Sequence, residues 1–224
     1  MAIHWRPGPL LGMLLIAASA LAQRPPEGRP LPLDPLTPAE REAAARIADG
    51  DPRVRELLGG GRTRRIYVEF IAPKGLVAGA DPDMPAGRYA EVVYVRYDTN
   101  SGVRALVEFA NGRVADVARV SSRGIPINSD EVEEAARIAL ADSRVARLLG
   151  ESAGRFHVAR GPASLQEVND ARIEGLRTLG TGPDDPCTEH RCIVLCFRER
   201  NRYTHLNEVV VDLNAQRALV RSQP

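Results

Sequence analysis

Ala44 to Gly59 reads AARIADGDPRVRELLG, and 91 residues further on Ala135 to Gly150 reads AARIALADSRVARLLG; the two stretches agree at 11 of 16 positions. Repetition on this scale divides the chain into two copies of one unit, and it has to be read before any local pattern. In the first copy Ala44, Ile47 and Ala48 form a helical stripe, and Gly50-Asp51-Pro52 interrupts it. Val54, Leu57 and Leu58 then resume the 3.6-residue spacing until Gly59-Gly60-Gly61 stops it. The start lies at Thr37-Pro38-Ala39-Glu40, a capping box with proline at the first helical position. In the second copy Asn128 and Glu131 take the places of Thr37 and Glu40, and the pattern predicts a helix over Val132 to Leu149 ended by Gly150.

Beyond each helix the apolar period changes from helical to alternating. Arg65 to Ile71 predicts a half-buried strand with Ile66, Val68 and Phe70 on one face and Tyr67 and Ile71 on the other. Pro73 to Gly87 is a Gly/Pro/Asp-rich loop; Glu91 to Tyr97, Val103 to Phe109 and Arg113 to Val120 follow as antiparallel strands, with Asn111-Gly112 a strong hairpin signal. In the second copy the expected strands are Arg155 to Arg160, a segment at the end of the ambiguous stretch Ser164 to Leu179, Arg191 to Phe197, Thr204 to Leu213 and a short edge strand from Gln216 to Val220. The fold class expected is α+β: two tandem units, residues 37–123 and 124–224, each a helix packed on an antiparallel sheet of about four strands.

Residues 1–22 carry Arg6, an apolar run from Pro9 to Ala18 and the small-x-small triplet Ala20-Leu21-Ala22, the make-up of a cleaved signal peptide. A proline-rich leader, residues 23–36, follows it. Secretion or a periplasmic location is therefore expected, with no membrane attachment after cleavage. Loss of Arg6 lowers the basic side chains from 30 to parity with the 29 acidic ones, so no global field draws nucleic acid or an anionic surface. The arginines are interspersed with acids along the chain, as on solvated charged faces.

The leader and first helix, PLDPLTPAEREAA from Pro32 to Ala44, resemble the start of the small N-terminal domains of copper-containing amine oxidases, which open on H-P-L-D-P-L-T-x-x-E. Leu31 departs from that pattern, where the family often has histidine. RRIYVEFIAPKG and NEVVVDLNAQRALV are similar to that family's strand with a Pro-Lys turn and to its returning hairpin. The resemblance implies a cystatin-like arrangement present twice; PepSY-type domains of exported proteins share the plan and are the second family. It does not extend to the oxidase chemistry, which needs an Asn-Tyr-Asp/Glu setting for the quinone and a His-x-His pair for copper. This chain has neither, and after the signal segment it has only His157, His190 and His205. No enzyme activity is expected.

The densest group of reactive side chains is Cys187, His190, Cys192 and Cys196. An oxidising compartment favours a disulfide between Cys187 and Cys192 with Cys196 a buried thiol, because Cys192 and Cys196 stand about 13 Å apart along one strand face. The alternative is a metal site, copper or zinc, built from Cys187, His190, Cys192 and His205. It draws on a hairpin register that sets Arg198 opposite Tyr203 and so Cys196 opposite His205. A thiol nucleophile with a histidine base and calcium at Asp81-Pro82-Asp83 or Asp184-Asp185 are weaker readings of the same residue types. The function expected is an exported, non-catalytic interaction or accessory module with a protein partner, by family analogy a separate amine oxidase chain; copper is the cofactor only in the alternative.

Overall fold

The structure, a computed structural model, describes residues 34–72, 87–158, 171–180, 182–199 and 202–221, without the side chains of 205–207. The signal segment, most of the leader, the 73–86 loop and the 159–170 stretch lie outside the described residues. All described structure belongs to one compact unit that starts at Pro32. It is α+β: helices α1 (Pro38–Gly50) and α2 (Pro52–Leu58) precede strands β1 (Thr63–Ile71), β2 (Tyr89–Arg96), β3 (Ser101–Glu108) and β4 (Arg113–Ser121). Helices α3 (Ser129–Leu140) and α4 (Ser143–Leu149) then precede β5 (His157–Val158), β6 (Arg172–Thr178), β7 (Cys192–Glu199), β8 (Arg202–Asp212) and β9 (Arg217–Val220). The first four strands form one sheet in chain order and the last five a second, also in chain order.

The helix starts use the chemistry that the sequence predicts. Thr37 and Glu40 close one capping box and Asn128 and Glu131 the other, each satisfying backbone N–H groups that have no helical partner. The helix expected over Val132 to Leu149 is broken at Asp142, whose carboxylate accepts from the Arg144 N–H and caps α4, as Asp51 accepts from the Arg53 N–H and caps α2. Gly59 and Gly150 end α2 and α4 at φ of 59° and 57°, a region where a Cβ is strained. Ala44, Ala48 and Val54, and their counterparts Ala135, Ala139 and Val145, are fully buried.

Three expectations about the strands are corrected. Ile66 does not share a face with Val68 and Phe70: the β1–β2 register shifts between Arg65 and Tyr67, and Ile66 joins a different apolar cluster from them. A bulge inserts one residue and so resets the two-residue alternation. The strand expected over Arg155 to Arg160 is described only as His157–Val158, preceded by a 3-10 turn, and it pairs with β6 in parallel. Its sheet thus has five strands and one parallel pair. In the β7–β8 hairpin Arg198 does oppose Tyr203, but the register shifts between Leu195 and Phe197, so Thr204 pairs with Phe197 and Val209 with Leu195. Residues 205–208 therefore face the single residue Cys196, and the simple Cys196–His205 pair is not formed.

Burial explains how the layers stack. Leu36, Ala44, Ala48 and Val54 pack on Val92, Tyr94, Val103 and Ala105, forming a core between α1–α2 and one face of the first sheet. A second, larger cluster takes Val93, Val95 and Tyr97 from the first sheet, Ala135, Ala136 and Ala139 from α3, and Ile193, Leu195, Phe197, Val209 and Val211 from the second sheet. α3 lies closest to the second sheet, and its Glu131 and Glu134 reach Tyr97, Arg62 and Arg64 of the first half. Each alternate residue of β2 therefore meets a different core, which is why this strand is buried almost throughout.

Candidate functional site

The Cys/His region forms a closed loop on the outer side of β7. Cys187 and Cys192 are disulfide-bonded with Cα atoms 5.4 Å apart, and both are buried. Asp185 starts the loop by accepting from the Cys187 N–H at 2.9 Å, and the Arg221 guanidinium pairs with the same carboxylate at 2.8 Å. Cys196 is a free, buried thiol, and burial pushes its pKa up, with the Glu174 charge adding to the shift. That is the environment of an inert packing thiol, not of an activated nucleophile. With Val194, Val210 and Leu219 the three cysteines make a small apolar cluster on the face of the sheet away from α3.

His190 does not point to the cysteines for its main bond. Its Nδ1 lies 2.7 Å from Asp212 Oδ2, while Asp212 Oδ1 accepts from the Ala215 N–H at 3.0 Å. Asp212 is fully buried and His190 about one-third exposed, so the imidazole caps a buried carboxylate at the rim of an open depression shared with Asn100 and Asn214. Of the four residues proposed as metal ligands, Cys187 and Cys192 are joined to each other, His190 is held by Asp212, and the His205 side chain lies outside the described residues. Among the described residues no group of three or more His, Cys, Asp or Glu side chains is placed to hold a metal ion.

The most elaborate polar constellation is one that the repeat pattern conceals. Glu131, the capping-box glutamate of α3, is fully buried and accepts from Arg191 Nε and Nη2 at 2.5 and 2.7 Å, from the Tyr97 hydroxyl at 2.8 Å and from the Asn128 N–H at 3.2 Å. Arg191, also fully buried, gives its other N–H bonds to the Ser122, Ile125 and Pro126 carbonyls at 3.4, 3.1 and 2.6 Å. Every strong acceptor and donor direction of the pair is used, the condition under which a buried ion pair is tolerated. The Tyr97 pKa is raised by its burial and by the Glu131 charge. Arg177 donates to the Ser122 and Ile125 carbonyls beside this pair, and burial, with the like charge of Arg191, lowers its pKa to about 10.

The same device recurs in the first half with a different spacing. Arg88, immediately before β2, binds Glu40 through Nε and Nη2 at 2.7 and 3.0 Å, as Arg191, immediately before β7, binds Glu131. Here the pair is part-buried, its side chains 16% and 20% exposed where those of Glu131 and Arg191 have no exposure, and the Arg88 guanidinium holds the Glu40 carboxyl at about 2, well below its ordinary 4.5. Arg88 and Arg191 are 103 residues apart and not 91, because the loops between them and their helices differ in length. A fixed-offset comparison therefore misses both arginines; a bidentate partner for each capping-box glutamate was the signal available. A third carboxylate, Glu134, accepts from Arg62, Arg64 and Gln216 at 2.8, 2.6 and 2.7 Å, and Arg62 stacks 4.0 Å over the Tyr97 ring. Together these contacts join the first sheet to α3 and to the β8–β9 turn.

No family model matches the chain. No curated protein matches it either. Among solved structures it is similar to a copper-containing benzylamine oxidase from Hansenula polymorpha, at 14% sequence identity and a TM-score of 0.48. The match covers 84% of this chain and 29% of that one, so the chain spans under a third of the oxidase's length.

Proposed function

We propose that this chain is an exported, non-catalytic interaction module made of two repeats of one cystatin-like unit, and that it binds an extended segment of a partner protein. The observation that carries the reading is the edge of the first sheet. β4 is nine residues long and, among the described residues, pairs with β3 alone. A strand in that position offers a row of backbone donors and acceptors to an incoming strand, with Arg113, Asp116 and Arg119 exposed along it to limit indiscriminate pairing. Export is supported by the signal-type segment and by the buried disulfide, which persists in oxidising compartments. The absence of chemistry is supported by what the buried charges do: Glu131, Glu134 and Asp212 are each engaged by neighbouring donors that hold the fold. The most specific partner, a separate amine oxidase catalytic chain, rests on family analogy alone, carried by Pro32 to Ala44 and the two strand segments quoted with it.

Capture from the envelope fraction of the native host tests this. Successive N–H groups of a strand alternate between its two sides, so of Val117→Pro and Ala118→Pro one removes an outward donor and leaves the β3 ladder intact. The expected result is that an exported oxidase or other exported enzyme copurifies with the native chain and is lost from the folded proline variant. No exported enzyme on the native chain, or equal recovery on both folded variants, overturns the proposal.

A further inference from the structure

The ring closed by Cys187 and Cys192 is where the second half reaches the turn regions of the first. Two of its backbone carbonyls accept from first-half side chains: Thr188 O from Arg123 Nη2 at 2.7 Å and Glu189 O from Asn100 Nδ2 at 2.5 Å. Asn100 is held for this role at a φ of 45°, uncommon for a residue with a Cβ, and its Oδ1 accepts from the Ser122 hydroxyl at 2.8 Å. Arg191, inside the same ring, carries the bonds to Glu131 and to the Ile125 and Pro126 carbonyls. A backbone carbonyl can meet a fixed side chain only while the loop that carries it keeps one conformation. Between β6 and β7 the described loop has a single 3-10 turn, Pro186–Thr188, as regular structure, and the covalent closure adds to the side-chain bonds of Asp185, His190 and Arg191 in holding it. Both sulfurs are buried, which shields the bond from thiols until the ring opens.

We propose that the Cys187–Cys192 bond is a redox-dependent latch between the two halves: when it is formed the Thr188 and Glu189 carbonyls are fixed against Arg123 and Asn100, and when it is reduced that contact opens. Closure joins two thiols as one S–S bond and passes two electrons and two protons to a disulfide oxidant, which leaves as a dithiol. Opening consumes an external dithiol and reverses the balance. The latch belongs to the chain itself and does not depend on which partner β4 binds. Its place in the fold means that this contact between the halves is completed only where a disulfide can be made.

Two measurements on the full mature chain test it. Hydrogen exchange compares the oxidised chain with Cys187→Ser/Cys192→Ser, reading the first-half amides of residues 97–101 and 122–123 against the β2–β3 ladder. The latch predicts exchange at least roughly tenfold faster at the first-half contact, with the ladder little changed. A change confined to residues 182–192 overturns it. The second measurement keeps the disulfide and decides the matter if the double serine variant does not fold: Asn100→Ala/Arg123→Ala removes the facing donors, and coupling between two sites is reciprocal. Reduction of Cys187–Cys192 by dithiothreitol then becomes about tenfold faster, the size expected from two hydrogen bonds. A rate unchanged from the native chain overturns the proposal.

Discussion

Replacing Arg191 by methionine while leaving Glu131 in place measures what full burial does to an ion pair. The substitution keeps side-chain bulk but removes two bonds to the carboxylate and three to the Ser122, Ile125 and Pro126 carbonyls. Glu131, with no exposed surface, keeps only the Tyr97 hydroxyl and the Asn128 N–H. Leaving one charge of a buried pair uncompensated costs about 3–5 kcal/mol, a large part of a typical domain's stability. Arg88→Met supplies the control, because it removes the same bidentate geometry from Glu40 at a site that water still reaches at its edge. A part-exposed pair, the Arg88 bonds to the exposed Asp34 and Pro35 carbonyls and a guanidinium 5.2 Å over the Phe70 ring together contribute about 1–2 kcal/mol. Urea unfolding followed by circular dichroism reads both values, and Glu131→Met/Arg191→Met completes the set, with most of the lost stability expected to return once neither charge is buried. Equal costs for the two single arginine variants, within about 0.5 kcal/mol, would refute the claim that burial and not geometry sets the size of the effect.

Further outcomes follow from other parts of the molecule. Glu40 and Asp142 both have pKa values lowered to about 2, chiefly by hydrogen bonds from Arg88 and Arg144. Their contribution is complete above the ordinary carboxylate range and is lost as pH falls from about 4.5 toward 2, so Glu40→Gln/Asp142→Asn should flatten the acid limb of a stability-versus-pH curve. Asp51→Ala and Asp142→Ala should each cost about 1 kcal/mol in urea unfolding by removing a helix cap, and similar values at the two sites are expected from their matching geometry. Cys196 should react with iodoacetamide only at the rate at which the fold opens; rapid labelling of the native chain would contradict its burial. If the Cys/His group binds copper or zinc, uptake should require prior reduction, since Cys187 and Cys192 are bonded to each other; native mass spectrometry before and after dithiothreitol checks this.

Features that depend on a few adjacent residues are legible in the order of the chain. Thr37-Pro38-Ala39-Glu40, Asn128 with Glu131, and the terminating Gly59 and Gly150 specify helix ends through local hydrogen bonds and backbone sterics, and alternating apolar residues specify β2, β3 and β4. The five-residue spacing of Cys187 and Cys192 was likewise enough to suggest their bond. The rest depends on how the layers pack. The bulges in β1 and at Leu195/Phe197 move residues across a sheet or out of register, and nothing in the alternation marks them, because they are fixed by packing on both sides of the strand. Arg191, Tyr97 and Glu131 lie too far apart in the chain to be read as one group; they meet because α3 is packed between two sheets, where a charged glutamate is stable only with a guanidinium and a phenol beside it. Local chemistry acts over one helical turn or one hairpin, whereas the partner of a buried charge is chosen by how the layers stack.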